Sequence, residues 1–128
     1  MTATSLAPVV EGRGIVQDYA VPGGLFARAG KVRALNGIDF AVDKGKTLAI
    51  VGESGSGKST LARIIALIDA PSGGELRIDD HTVDIARKRP GPALRSKVQM
   101  VFQNPYGSLN PRQKIGNVLM EPLVINTD

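Results

Sequence analysis

The sequence predicts an α/β fold in which a phosphate-binding loop joins a buried strand to an amphipathic helix. Three observations carry that prediction. Leu48-Ala49-Ile50-Val51 is a short unbroken apolar run, the pattern of a strand covered on both faces of a parallel sheet. Gly52-Glu53-Ser54-Gly55-Ser56-Gly57-Lys58-Ser59 follows at once and fits G-x-x-x-x-G-K-[ST]. Leu61, Ile64, Ile65 and Ile68 then fall at i, i+3, i+4 and i+7, which is one stripe of a helix.

The remaining elements follow in chain order. Residues 1–8 read as a frayed terminus. Val9 to Tyr19 reads as a strand interrupted by Gly12 and Gly14, and Pro22 to Lys31 as a loop. Ile38, Phe40 and Val42 alternate with polar or small neighbours, as in a half-buried strand. Asp43 to Lys46 is a turn. The helix that starts at Lys58 is expected to run until Pro71 stops it. Gly73-Gly74 turns the chain into a strand carrying Leu76 and Ile78. Val83 to Leu94 shows no clear period and is broken by Pro90, Gly91 and Pro92. Val98 to Phe102 reads as a strand and Asn104 to Pro111 as a loop. Asn110 is placed to cap a last helix, with Pro111 at its first position, Ile115, Val118 and Leu119 on its apolar face, and Pro122 at its end. No internal repeat is present.

A length of 128 residues fits one domain. With 42% apolar and 22% charged residues, the composition fits a soluble globular chain and argues against disorder. No apolar run approaches the ~20 residues of a membrane span, the longest being Ile64 to Ile68. Met1 to Val10 lacks the basic start and apolar stretch of a secretory signal. The absence of cysteine removes disulfides, thiolate zinc sites and cysteine nucleophiles. A net charge of +4 mildly favours anionic partners. The basic stretch from Arg87 to Lys97 reads as a solvated loop and helix face. The five aromatics do not interleave with it, so no nucleic-acid partner is expected.

The phosphate loop has a chemical logic. Glycines at 52, 55 and 57 let the backbone wrap closely. The N–H groups from about Gly55 to Thr60 can then line an anion nest at a helix N-terminus. Lys58 can reach β- and γ-phosphates, and Ser59 offers a hydroxyl to Mg²⁺. A glycine-rich turn with no ligand would not need Lys and Ser at those two places. The loop therefore specifies nucleoside triphosphate binding, but no reaction: small kinases, GTPases, remodelling motors and transport ATPases all use it.

Further segments resemble the nucleotide-binding subunits of ABC transporters. Val51 to Thr60 has that family's phosphate-loop wording, and Val101-Phe102-Gln103-Asn104-Pro105 looks like its Q-loop. The longer run Val101 to Arg112, with Gly24-Leu25-Phe26 ahead of Val32 to Leu35, is similar to the branch that energises dipeptide and oligopeptide import. The resemblance extends from about residue 9 onward. It implies the P-loop NTPase fold of the N-terminal half of an ABC nucleotide-binding domain, an antiparallel β subdomain plus the start of the parallel core sheet. By the same resemblance, ATP and Mg²⁺ are held by Gly52, Glu53, Ser54, Gly55, Ser56, Gly57, Lys58, Ser59 and Thr60. Tyr19 falls where the family's adenine-stacking aromatic lies, although it also reads as a partly buried tyrosine at a strand end. Gln103 matches the glutamine that meets Mg²⁺ or the attacking water and reports nucleotide state to the membrane subunits. An amide that can both donate and accept suits that task. The metal set is thus Ser59 and Gln103. The implied partners are a second ATPase subunit, transmembrane permease subunits and, indirectly, a solute-binding protein. The implied location is cytoplasmic, peripheral on the inner face of the membrane. The cargo (dipeptide, longer peptide or nickel) stays open.

The family's pattern departs at three points. There is no Leu-Ser-Gly-Gly-Gln signature: Ser72-Gly73-Gly74 is followed by Glu75 and reads as the turn into a strand. No strand carries a Mg²⁺-binding Asp beside a catalytic Glu. Ile65 to Asp69 mimics one, but it lies on the helix that begins at Lys58. The lone histidine, His81, follows Asp79-Asp80 in a turn and reads as solvated. Residues 1–128 are therefore expected to be a partial ATP-binding domain, cut before the signature and that strand. The isolated chain is expected to fold marginally, expose apolar edges and hydrolyse ATP negligibly. A small P-loop kinase and a non-catalytic ATP-binding module are the competing readings.

Overall fold

The computed structural model describes residues 7–22, 30–79, 81–83, 90–104, 107 and 109–126. The Gly24 to Phe26 segment, Asp80, Pro105 and residues 87–89 of the basic stretch lie outside them. The chain divides into two compact units, 1–90 and 91–128.

The first unit is built on a four-stranded antiparallel sheet of order β2-β1-β3-β4. Its strands are β1 (Val10–Val21), β2 (Gly30–Val42), β3 (Gly73–Ile78) and β4 (His81–Val83). The first two are longer than the sequence suggests, and β2 begins inside the expected loop. His81 opens β4 opposite Ile78 rather than sitting in the preceding turn, although it is exposed as expected.

Register shifts bend this sheet. Gly12 pairs with Phe40 and Ile15 with Ile38, so β1 carries one extra residue there. The same stretch bulges against β3, where Arg13 pairs with Glu75 and Val16 with Gly73. Gly14 takes φ 56° in the bulge and donates its N–H to Asp39 Oδ1. Opposite it, Gly74 takes φ 88°, and any Cβ there would strike the Gly14 carbonyl. A further shift, between Leu35 and Arg33, leaves Ala34 unmatched on β2.

Helix α1 (Lys58–Ile65) packs its Leu61 and Ile64 onto the sheet. With Ile15, Leu35, Leu67, Leu76, Ile78 and Val83 they form the buried apolar core, Ile15 and Ile64 being fully enclosed. The helix stops one turn earlier than the apolar stripe suggests. Leu67 turns left-handed at φ 61°, Ile68 N–H bonds back to Arg63 O at 2.9 Å and Leu67 N–H to Ile64 O at 3.0 Å. That is a Schellman closure, with leucine where glycine is usual. Leu67 is thereby turned into the core and Ile68 is left exposed. Pro71 therefore lies beyond the helix and does not end it. The following turn is tied to β1: Ser72 N–H donates to Val16 O and to Gln17 Oε1, and Asp18 N–H donates to Ser72 Oγ. Ser72-Gly73-Gly74 does lead into a strand, as read from the sequence.

Leu48 to Val51 corrects the sequence reading. It is not a strand, and Leu48, Ile50 and Val51 are exposed, Val51 to 88%. The physical reason is that an extended run becomes a strand only when a neighbouring backbone satisfies its N–H and C=O groups. No described residue pairs with it.

The described residues of the second unit include the helices α2 (Pro92–Arg95) and α3 (Ile115–Asn126). Val98 to Phe102 is likewise not a strand, with Val101 96% exposed. Asn110 caps a turn, its Oδ1 accepting from Arg112 N–H, and α3 begins five residues later. Pro122 lies inside α3 and does not end it. Its fixed φ suits a helix, and the ring removes one ladder donor without halting the rest. Ile115 and Leu119 are exposed and Val118 is half-buried.

Candidate functional site

Residues 52–60 form a loop that ends on the first turn of α1. Gly57 is its pivot, with φ 91° at the helix N-cap. A Cβ on Gly57 would lie 2.6 Å from Ala34 O and 2.8 Å from Leu35 Cδ2. The bulge in β2 thus presses a carbonyl against the one residue type that can accept it. The first intrahelical bond is Leu61 N–H to Gly57 O at 2.9 Å. The N–H groups of Lys58, Ser59 and Thr60 precede it, so no intrahelical carbonyl serves them. They are free to face an anion, and the helix dipole favours one there.

Lys58 folds back over the same loop. Its Nζ donates to Gly52 O at 2.8 Å, Glu53 O at 2.5 Å and Ser56 Oγ at 3.3 Å. The amine is therefore held at the loop by two carbonyls and a hydroxyl. Ser59 sits at the second helical position and is exposed. Three unserved amides, one tethered ammonium and one exposed hydroxyl make a donor set that fits a polyphosphate and its cation. Glu53, Ser54 and Gly55 complete the exposed turn before the helix.

Tyr19 lies near the end of β1, opposite Val32 of β2, and is 39% exposed. The Asp69 carboxylate lies just beyond α1. Arg63 Nε and Nη2 grip the same carboxylate at 2.7 and 3.0 Å. The Arg63 guanidinium, with a smaller contribution from Tyr19, holds the Asp69 carboxyl below its ordinary value. Asp69 is thus occupied by a cation and cannot serve as the metal-binding acid that Ile65 to Asp69 mimics. Sequence reasoning missed Arg63 and Asp69 as partners of each other. Their spacing of six is not a helical contact interval, and the Schellman turn is what brings them together. The described residues hold no cluster of three or more metal-ligating His, Cys, Asp or Glu side chains.

Gln103 belongs to the second unit. It is exposed and, with Phe102, Asn104 and Gly107, lines an open cleft of about 420 Å³.

Fold and loop together define a phosphate-loop nucleotide-binding protein. The sequence profile of the ABC transporter family matches residues 35–122, and the chain belongs to that family. It is 56% identical to a di/tripeptide transport ATP-binding protein DppF of Pseudomonas aeruginosa, over 93% of this chain and 37% of that protein. It is 47% identical to the dipeptide transport ATP-binding protein DppF of Escherichia coli, over 98% of this chain and 37% of the relative. The chain thus spans little more than a third of the length of these relatives. Among solved structures, a dimeric ATP-binding cassette in a post-hydrolysis state with ADP and Pi superposes with TM-score 0.70. It has 26% identity, covering 92% of this chain and 48% of that one. The N-terminal half of a nucleotide-binding domain is therefore the fold, with the antiparallel sheet present as read from the sequence. Among the described residues no helix is long and apolar enough to cross a membrane.

Proposed function

We propose that these residues are the nucleotide-gripping part of the ATP-binding subunit of a peptide-importing ABC transporter. The observation that carries this is the loop at 52–60, where Lys58 Nζ and three unserved N–H groups converge on the start of one helix. The peptide assignment is supported by the likeness to dipeptide and oligopeptide transport ATP-binding proteins.

In this reading Lys58 and the amides of Lys58, Ser59 and Thr60 bind the phosphates of ATP. Ser59 would offer its hydroxyl to Mg²⁺, and Tyr19 stacks on the base. Bound Mg²⁺ would supply neutralisation of phosphate charge. Gly52 to Gly57 shape the loop and exclude side-chain bulk from it. Glu53, Ser54 and Ser56 complete the contact surface. The partners proposed are a second ATPase subunit, permease subunits at the inner face of a membrane and, indirectly, a solute-binding protein. Binding rather than turnover is what the loop geometry supports.

Titration calorimetry of the purified chain with Mg·ATP tests this. Saturable heat is expected, lost in Lys58→Ala. No heat from folded protein would overturn the assignment. Phosphorylation of a small acceptor would favour a kinase instead.

A further inference from the structure

Consecutive residues of β1, Gln17 and Asp18, pair with Leu35 and Arg33 of β2, so Ala34 is the extra residue of a bulge. Its carbonyl is the atom that a Cβ on Gly57 would meet at 2.6 Å, and the buried Leu35 closes the same contact with its Cδ2 at 2.8 Å. Gly57 is the cap of α1, so the bulge abuts the residue from which the Lys58, Ser59 and Thr60 amides start. The extra residue of a bulge has no ladder partner of its own. Here a side chain spans it. Arg33 Nε donates to Asp18 Oδ1 at 2.8 Å and Nη2 to Asp18 Oδ2 at 3.1 Å, while Nη1 reaches past Ala34 to Asn36 Oδ1 at 3.4 Å. Asp18 is itself anchored through its main chain: its N–H donates to Ser72 Oγ at 3.0 Å, and that hydroxyl lies 3.4 Å from Asp18 O.

We propose that Arg33 is a positioning residue for the phosphate site: by gripping Asp18 on one strand and Asn36 beyond the bulge, it clamps Ala34 against Gly57 and fixes the direction of the amides at the start of α1. This rests on the reading of residues 52–60 as the phosphate site. An unclamped bulge samples several backbone conformations, and selecting one of them costs entropy at the moment of binding. The clamp removes that cost beforehand. Arginine suits the task because its planar fork meets both carboxylate oxygens and keeps a third nitrogen for the amide, where lysine offers a single point. Arg33 is more than half exposed, so the effect is on the scale of a surface ion pair.

The test is titration calorimetry of Mg·tripolyphosphate on the complete 128-residue chain, well below the melting transition so that unfolding does not enter. Arg33→Ala and Asp18→Ala should each weaken binding about threefold, and the double variant little more, because both break one clamp. Asp18→Ala leaves the main-chain bonds to Ser72 in place. It also separates positioning from simple charge: losing an acid draws a polyanion closer by Coulomb attraction, whereas losing the clamp weakens it. Arg33→Lys should recover part of the loss. Asn36→Ala keeps the ion pair and is the milder variant should Arg33→Ala fail to fold, with about twofold weakening expected. Tighter or unchanged binding in Asp18→Ala, or full additivity of Asp18→Ala with Arg33→Ala, would overturn the positioning role. Lys58→Ala is the reference for the site. If it leaves tripolyphosphate binding intact, the phosphate-site reading falls and takes this inference with it. A Lys58→Ala effect without any Asp18→Ala effect removes the positioning role alone.

Discussion

Lys58 Nζ donates to the carbonyl oxygen of Gly52 across 2.8 Å, six residues back along its own loop. The ammonium is thus stationed at the loop before any nucleotide arrives. Replacing it with alanine removes the charge but leaves the helix start intact, since Leu61 still bonds to Gly57. Lys58→Ala is expected to lower Mg·ATP affinity at least tenfold, about 1.4 kcal/mol. A fluorescent ATP analogue reads this directly, and an unchanged affinity refutes the site.

Gly57→Ala should destabilise the first unit through two effects at once. The residue holds φ 91°, and its new methyl would meet Ala34 O at 2.6 Å. A left-handed non-glycine costs about 1–2 kcal/mol, and the collision adds to it. Gly45→Ala is the control: φ is 75° but nothing lies within 4 Å of the added Cβ. Denaturant melts should rank Gly57→Ala clearly below Gly45→Ala.

Two carboxylates make stability depend on acid. Asp69 and Asp18 both titrate below their ordinary value of 3.8, because Arg63 and Arg33 hydrogen-bond their charged forms. A lowered folded-state value means the contribution is complete above the unfolded value and vanishes as pH falls through the folded one. Asp69→Asn should therefore be less stable than the parent at neutral pH and indistinguishable from it in strong acid. Denaturant melts across that range check the sign. An unchanged gap in acid would contradict it.

Exposed aliphatic surface at Leu48, Ile50 and Val51 predicts self-association of the purified chain. Introducing Val51→Lys, at a residue 88% exposed, should slow light-scattering growth without lowering the melting temperature. A lowered melting temperature would mean that Val51 packs in solution.

What the sequence made legible was whatever depends on neighbours in the chain. The phosphate loop, the turn at Ser72 to Gly74 and the strand bearing Leu76 and Ile78 all follow from local residue types. Leu48 to Val51 was misread because an apolar run records a preference for burial, not the presence of a partner backbone. The end of α1 was misread because Leu67, a poor left-handed residue, takes the place where glycine would have announced the stop. Asn110 and Pro111 carry the spelling of a helix start, yet they close a turn, since that chemistry serves both. For Tyr19 the sequence offered a position but no partner.

The pressure of the Ala34 carbonyl on Gly57 has a mechanical consequence. Ala34 sits two residues from Val32, and Val32 pairs with Tyr19. Loop and aromatic are thereby referenced to a single stretch of β2, so their spacing is set by the sheet and not by whatever binds. Loosening the β1–β2 pairing near Val32 would change that spacing while leaving every residue of the loop itself untouched.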